Sequence, residues 1–256
     1  MDWELRLLGC WQLSCDGSVV AVGARQQRLI TALALMGQRS RSYLAGLLWP
    51  DSSEHQASGS LRSTVFKVRH QLPGLLSDSL EPVALARSVV VDVTELRRSA
   101  EAARTDGLIE RGIAERLYSA ELLPGWYDDW VIFEQERLSE LRIAALEAVA
   151  RHYLHEDDPE AAVAAAMHAA AIEPLRESAH ALMIRGQIHS GNTAGAHRTL
   201  EDFRRRLRDE MGLEPSRRLE AAIGGNSADD FGLPGPLAAK SRVHRLAAHR
   251  QPSKEL

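Results

Sequence analysis

The sequence predicts a mainly α-helical chain in two parts: an N-terminal part combining three helices with small antiparallel sheets, then a larger all-helical part with repeat character. Three observations carry this reading. Alternating and β-branched stretches are confined to residues 4–22 and 83–91; apolar residues elsewhere recur at helical spacing; and from Thr94 onward Ala, Leu, Arg and Glu dominate without a strand signal. A length of 256 residues suits two domains. They are expected at 1–92 and 93–223, followed by a flexible Gly- and Pro-bearing tail, 224–256, that lacks an apolar stripe.

Residues 4–8 and 10–15 alternate loosely, Asp16-Gly17 is a hairpin signal and 18–22 is β-branched, so an antiparallel sheet opens the chain. Leu29, Ile30, Leu33 and Met36 then share a helical face closed by Gly37, giving a helix over about 25–36. Ser42 is placed to cap a short second helix that Pro50 ends. A third helix over about 54–71 precedes Pro73-Gly74, with Leu61, Val65, Val68 and Leu72 in one buried stripe. Val83-Ala84-Leu85 and Val89-Val90-Val91, on either side of Arg87-Ser88, read as a terminal hairpin. Sheet, three helices and hairpin is the order of a winged helix-turn-helix.

In the second part, Leu154 and Ile188, Asp158 and Asn192, and Ala162 and Ala196 each recur at 34 residues, the tetratricopeptide period. The second copy closes late, at Pro215, as a longer second helix would explain. Asp128-Asp129 and Asp157-Asp158 read as helix N-cap clusters.

The formal net charge of -4 argues against a nucleic-acid binder until its distribution is read. Residues 93–223 carry 17 bases against 24 acids, whereas residues 25–70 carry seven bases (Arg25, Arg28, Arg39, Arg41, Arg62, Lys67, Arg69) against two acids, Asp51 and Glu54. Projected at 100° per residue, the third helix places Gly59, Ser63, Phe66, Lys67 and His70 opposite its apolar stripe, with Arg62 and Arg69 flanking it. Phe66 is suited to a thymine methyl and Arg62 or Lys67 to guanine or phosphate; an ordinary solvated face, with Phe66 tucked against the wing, is the alternative. Arg87, at the hairpin turn, is placed for a minor groove or simply for solvent. Arg25 and Arg28 open the first helix, where they meet either phosphate or the protein's own acids.

Other chemistries find little support. His152, His155 and Glu156 lack a third metal ligand at a recognisable spacing, and no phosphate-binding glycine loop or nucleophile elbow is present. No metal, cofactor or catalytic residue is expected, and the protein is not read as an enzyme. Cys10 and Cys15 are read as reduced core or strand thiols. No long uncharged apolar run exists and Met1-Asp2-Trp3-Glu4 is unlike a secretory signal, so the chain is expected in the cytoplasm, at the nucleoid, without a membrane partner. Arg204, Arg205, Arg206 and Arg208 lie among Glu201, Asp202, Asp209 and Glu210 and read as a salt-laced face. Trp126, Tyr127 and Trp130 read as inter-helix core more readily than as a ligand pocket.

Glu121-Leu-Leu-Pro-Gly-Trp-Tyr-Asp-Asp-Trp130, Glu134-Gln-Glu-Arg137 and Asp209-Glu-Met-Gly-Leu-Glu-Pro-Ser216 resemble the signature of the bacterial transcriptional activator domain. Leu5-Arg-Leu-Leu-Gly9, Arg25-Gln-Gln-Arg28, Leu47-Leu-Trp-Pro-Asp51 and Leu61-Arg-Ser-Thr-Val-Phe-Lys-Val-Arg69 resemble the OmpR-type winged helix of the Streptomyces antibiotic regulatory protein family. The resemblance, over residues 4–223, implies an activator of secondary-metabolite genes that binds direct repeats in double-stranded promoter DNA as a homodimer. It also implies recruitment of RNA polymerase through its sigma and alpha subunits. By position it puts Arg62, Ser63, Phe66, Lys67 and His70 on the recognition helix, Arg87 on the wing, and Asp51, Ser52, Ser53 and Glu54 in the loop facing polymerase. Two departures stand out: the Gly-Tyr-x-Leu wing of many relatives is replaced by Leu85-Ala-Arg-Ser-Val-Val-Val-Asp92, and the ATPase module of large relatives does not follow, which implies a stand-alone small regulator. A helical-repeat interaction scaffold with a vestigial winged helix is the competing reading.

Overall fold

The computed structural model describes residues 1–223; the tail expected over 224–256 lies outside the described residues. Strand β1 (Trp3–Arg6) buries Trp3 and Leu5 and exposes Glu4 and Arg6, the period of a half-buried strand. It pairs antiparallel with β2 (Gln12–Cys15), Leu5 opposite Leu13. The chain then turns at Asp16-Gly17, both at positive φ (48° and 79°), into β3 (Ser18–Val19). Two left-handed residues match the twist of the flanking strands, and only a short polar side chain and glycine adopt them cheaply.

The expected terminal hairpin forms differently. Val83 bridges Arg39 and Leu85 bridges Leu76, with the Ser77 amide donating to Ala84 O and the Ala86 amide to Leu75 O. The wing therefore joins 75–77 to 84–86, and its tip is 78–83. Leu75 and Leu76 are buried and supply the strand that a reading of Pro73-Gly74 as open loop overlooks. Arg87-Ser88 is a later tight turn, closed by the Val89 amide on Ala86 O. It delivers β4 (Val90–Val91) parallel to β1, making one mixed sheet in the order β3-β2-β1-β4 instead of separate antiparallel ones. The second edge of β1 lies in the interior, where unpaired backbone groups are costly, and β4 fills it.

Helices α1 (Ala24–Met36), α2 (Arg41–Leu48) and α3 (Glu54–Gln71) fall where periodicity places them. Ser40, not Ser42, caps α2, accepting the Tyr43 amide at 3.3 Å. Leu61, Val65, Val68 and Leu72 are all buried. Cys10 is exposed outside any strand and Cys15 lies in β2; both are free thiols.

The remainder is helical: α4 (Asp92–Thr105), α5 (Ile113–Ser119), α6 (Asp129–His155), α7 (Pro159–Ile172), α8 (Glu177–His189), α9 (Thr193–Met211) and α10 (Arg217–Ile223). The 34-residue repeat is visible bond by bond. Asp158 caps α7 through the Ala161 amide and Asn192 caps α9 through the Gly195 amide, both at 3.0 Å. The Asp158 amide returns to Tyr153 O and the Asn192 amide to Gln187 O, and Asp157 and Gly191, just before, both have positive φ. Helix α9 is the longer second helix that the late Pro215 requires. No helix among the described residues is long and apolar enough to cross a membrane.

The two parts are not separate bodies. One core runs from Trp3 to Leu182, and a smaller one joins Ile184, Phe203, Leu207 and Leu219. At the joint, the Asp92 carboxylate accepts the amides of Leu7 and Leu8 at 2.9–3.0 Å, while Gly9 donates to Glu121 O and Leu123 to Leu7 O. Arg28 meets Asp128 at 2.6 Å, and Arg97 donates to Leu35 O and to the buried carboxylate of Glu134.

Two predictions follow from this packing. A methyl on Gly186 would stand 2.6 Å from Val163 Cγ2 and 3.1 Å from Pro159 O, whereas at Gly59 it meets nothing within 4 Å. Gly186→Ala is expected to cost about 1–3 kcal/mol and Gly59→Ala to be neutral or stabilising by up to about 1 kcal/mol; urea denaturation measures both. His180 is half-buried with its ring 4.4 Å from that of Phe203, and desolvation lowers its pKa from 6.5. The neutral ring is the form the fold accommodates, so stability is intact above the unfolded value and falls as pH drops below about 6.5. In thermal melts between pH 7.5 and 5, His180→Gln should flatten that decline.

Candidate nucleic-acid interface

The outer face of α3 is set by what its inner face must bury. With the stripe at Leu61, Val65 and Val68 fixed against α1 and α2, the helical period turns Arg62, Ser63, Phe66, Lys67 and His70 outward, and all five are exposed. Ser53 starts the helix by accepting the Gln56 amide at 3.4 Å. Phe66 is 69% exposed and is not tucked under the wing. Its ring lies parallel to that of His70, one turn on, with centroids 6.0 Å apart. Among the described residues neither Arg62 nor Lys67 has an ion pair or hydrogen bond. An exposed apolar ring among uncompensated cations gains nothing from water and suits a surface that offers both phosphate and base edges.

The neighbouring cations divide by role. Arg25, in the first turn of α1, is exposed and unpaired, and the Gln26–Gln71 bond of 2.7 Å brings that turn beside the end of α3. Arg28, next to it, is taken by Asp128. Arg69, expected among the phosphate contacts, is half-buried and turned inward: its Nη2 donates to Ser77 O at 3.2 Å and to Ser79 O at 2.6 Å. It holds the wing. From the other side Glu81 accepts the Arg41 amide at 3.0 Å while Arg41 Nε donates to Leu80 O, so the wing tip is fastened to the start of α2. Arg87 is exposed and unpaired, but in the turn after the wing and not at its tip. Sequence reasoning counts Arg41 only within the positive field and passes over Glu81; the apolar pair Leu75-Leu76 after Pro73-Gly74 was the available signal for where the hairpin lies.

Asp51, Ser52, Ser53 and Glu54 form an exposed acidic stretch leading from α2 into the first residue of α3, and among the described residues the carboxylates of Asp51 and Glu54 make no ion pair. The four-arginine run on α9 is neutralised: Arg204 meets Glu201, Glu214 and Glu220, Arg205 meets Asp202, Arg206 meets Glu210 and Arg208 meets Glu214. The arginine run on α9 is thus compensated, whereas Arg62 and Lys67 on α3 are not, among the described residues.

The bacterial transcriptional activator domain matches residues 88–224 of this sequence. The chain belongs to that family. The winged helix preceding the domain gives the chain the architecture expected from its resemblance to the Streptomyces antibiotic regulatory proteins. The chain is 30% identical over 217 residues to the regulatory protein AfsR of Streptomyces coelicolor, covering 78% of this chain but only 22% of AfsR. Its fold resembles that of Mycobacterium tuberculosis EmbR, solved in complex with a low-affinity phosphopeptide, with a TM-score of 0.66 at 20% identity over 87% of this chain and 64% of that one.

Within the activator domain, the aromatic motif divides as well. Trp130 is buried at the start of α6, Trp126 is half-buried, and Tyr127 is 82% exposed. Trp126 and Tyr127 line a crevice of about 350 Å³ with Leu138 and Arg142, whose guanidinium is otherwise engaged by Leu117 O and Tyr118 O at the end of α5. Asp128 occupies the N-cap position of α6 but gives its carboxylate to Arg28, whereas Asp158 caps as expected. No group of three His, Cys, Asp or Glu able to hold a metal occurs among the described residues.

Removing the Arg69 clamp tests the account of the wing. In Arg69→Ala, backbone amides over residues 77–81 should exchange faster in deuterium oxide while those of α1 do not change. Arg69→Lys should restore protection only in part, since Nη2 makes both bonds and the lysine ammonium sits about one bond short of its position.

Proposed function

We propose that the protein is a promoter-binding transcriptional activator that inserts α3 into the major groove of double-stranded DNA. The single observation that carries this is the outer face of α3, where Arg62 and Lys67 stand unpaired around an exposed Phe66. Arg62 and Lys67 contact phosphate or guanine, Phe66 contacts a thymine methyl, and Ser63 and His70 complete the base-facing surface. Arg25 and Arg87 add backbone contacts at its ends. Arg69 acts at one remove, by holding the wing.

The resemblance to Streptomyces regulators supports the rest: binding to direct repeats as a homodimer, control of secondary-metabolite genes, and recruitment of RNA polymerase, through its sigma and alpha subunits, by the acidic Asp51–Glu54 link. The protein acts in the cytoplasm, on the nucleoid, without a cofactor.

Selection of bound fragments from genomic DNA, followed by footprinting, tests the reading. The salt dependence of binding should lose about one unit of slope per phosphate contact removed, so Arg62→Ala with Lys67→Ala should lower it by up to about two. An unchanged footprint and slope would overturn the assignment of α3. In a purified transcription assay, Asp51→Lys with Glu54→Lys should reduce activation while leaving promoter affinity the same or higher.

A further inference from the structure

The helical repeat places two arginines at one position of successive units. Arg151 on α6 and Arg185 on α8 are 34 residues apart, on the first helix of each pair, and α6 and α8 pack side by side. Both are half-buried. The neighbouring carboxylate is already in use: buried Glu147 accepts from Arg176 Nε at 3.1 Å and from the Ser178 hydroxyl at 2.5 Å, and stands 3.9 Å from Arg151. Arg176 takes Glu140 as well. At the start of α8, Glu177 is held by Ser216. Among the described residues Arg185 is left as the half-buried arginine with no hydrogen bond or ion pair, and it repels Arg151. Burial foremost, with that repulsion adding to it against the pull of Glu147, lowers the pKa of Arg151 from its ordinary value.

Two half-buried guanidiniums on packed helices repel each other where their one nearby carboxylate, Glu147, is already shared with Arg176 and Ser178, and guanidinium forks match carboxylates closely. We propose that Arg151 and Arg185 form a clamp for the carboxylate of an acidic peptide segment from a partner protein, laid along the first-helix face of the repeat. The clamp is separate from the DNA-facing helix. Arg151 lies 23 residues along α6 from Asp128, which touches α1 through Arg28, a distance of about 34 Å at 1.5 Å per residue. The proposal thus does not rest on the promoter-binding reading.

The test uses the full chain and a fluorescein-labelled tetraglutamate peptide, followed by anisotropy at low salt, with tetraglutamine, inorganic phosphate and a short duplex DNA as competitors. Tetraglutamate should bind. Arg185→Gln and Arg151→Gln should each weaken binding at least tenfold, and tetraglutamine should not compete. Without peptide, Arg185→Gln should melt at or above the wild-type temperature, because it removes a like charge and breaks no bond. Equal binding by wild type and Arg185→Gln overturns the clamp, as does failure of tetraglutamate to bind. Displacement by phosphate or duplex as effective as by unlabelled tetraglutamate would mark a general polyanion patch in its place, and a destabilised Arg185→Gln would assign that residue to the fold. Promoter binding, measured on the same variants, should not change.

Discussion

The carboxylate of Asp92 holds together what composition and charge would divide. As the first residue of α4 it accepts the amides of Leu7 and Leu8, just past the end of β1, while β4 occupies the neighbouring edge of that strand. Carboxylate and strand come from the same turn of chain, so the segment leaving the winged helix is also the one that completes its sheet. The pairing of 7–9 with 121–123 extends this into the activator domain, and the apolar consequence is one core from Trp3 to Leu182. An arrangement of this kind does not hinge freely. Reorienting α3 against α6 would expose backbone groups that Asp92 and Leu123 now satisfy and separate Arg28 from Asp128.

This constraint shapes how charge is used. In the activator domain arginine is mostly matched, by Glu134, by Glu147 and by the acids along α9, so its net negative charge is worn as a lattice of pairs. On the outer face of α3 the matching stops, although acids are near in sequence: Asp51 lies before the helix, Glu54 is its first residue and Glu81 is turned to α2. The same chain therefore presents a compensated surface and an uncompensated one, held in fixed relation by the joint. Such separation suits the proposed reading, in which α3 meets DNA and the activator domain meets other proteins, since exposed pairs contribute little attraction of their own.

Much of the fold was legible because its signals are local. The stripe Leu61, Val65, Val68 and Leu72 specifies the face of α3 whatever it packs against, and Asp158 and Asn192 mark helix starts at the repeat period. What could not be read depends on distant partners. Nothing within 83–91 indicates that Val90 and Val91 pair with residues near the N-terminus, since a β-branched run fits a local hairpin or a remote edge equally well. The choice is made by the vacant edge of β1. The inward turn of Arg69 escaped for a similar reason: its neighbours on the helix are outward-facing, and only the return of Ser77 and Ser79 explains its direction.

The wing illustrates how one long-range pairing propagates to function. Once β4 is spent on β1, the hairpin must be closed by residues before it, and Leu75-Leu76 are available because Trp3 donates its indole N–H to Pro73 O and holds that corner. The tip then falls at 78–83, where Asp78 and Glu81 stand in place of the cations a minor groove would attract. Arg41 and Arg69 bind this acidic tip to α2 and α3, so the positive charge nearest it is consumed internally. The wing is thus a brace for α3, and on the proposed reading any DNA contact falls to the exposed face of α3 itself.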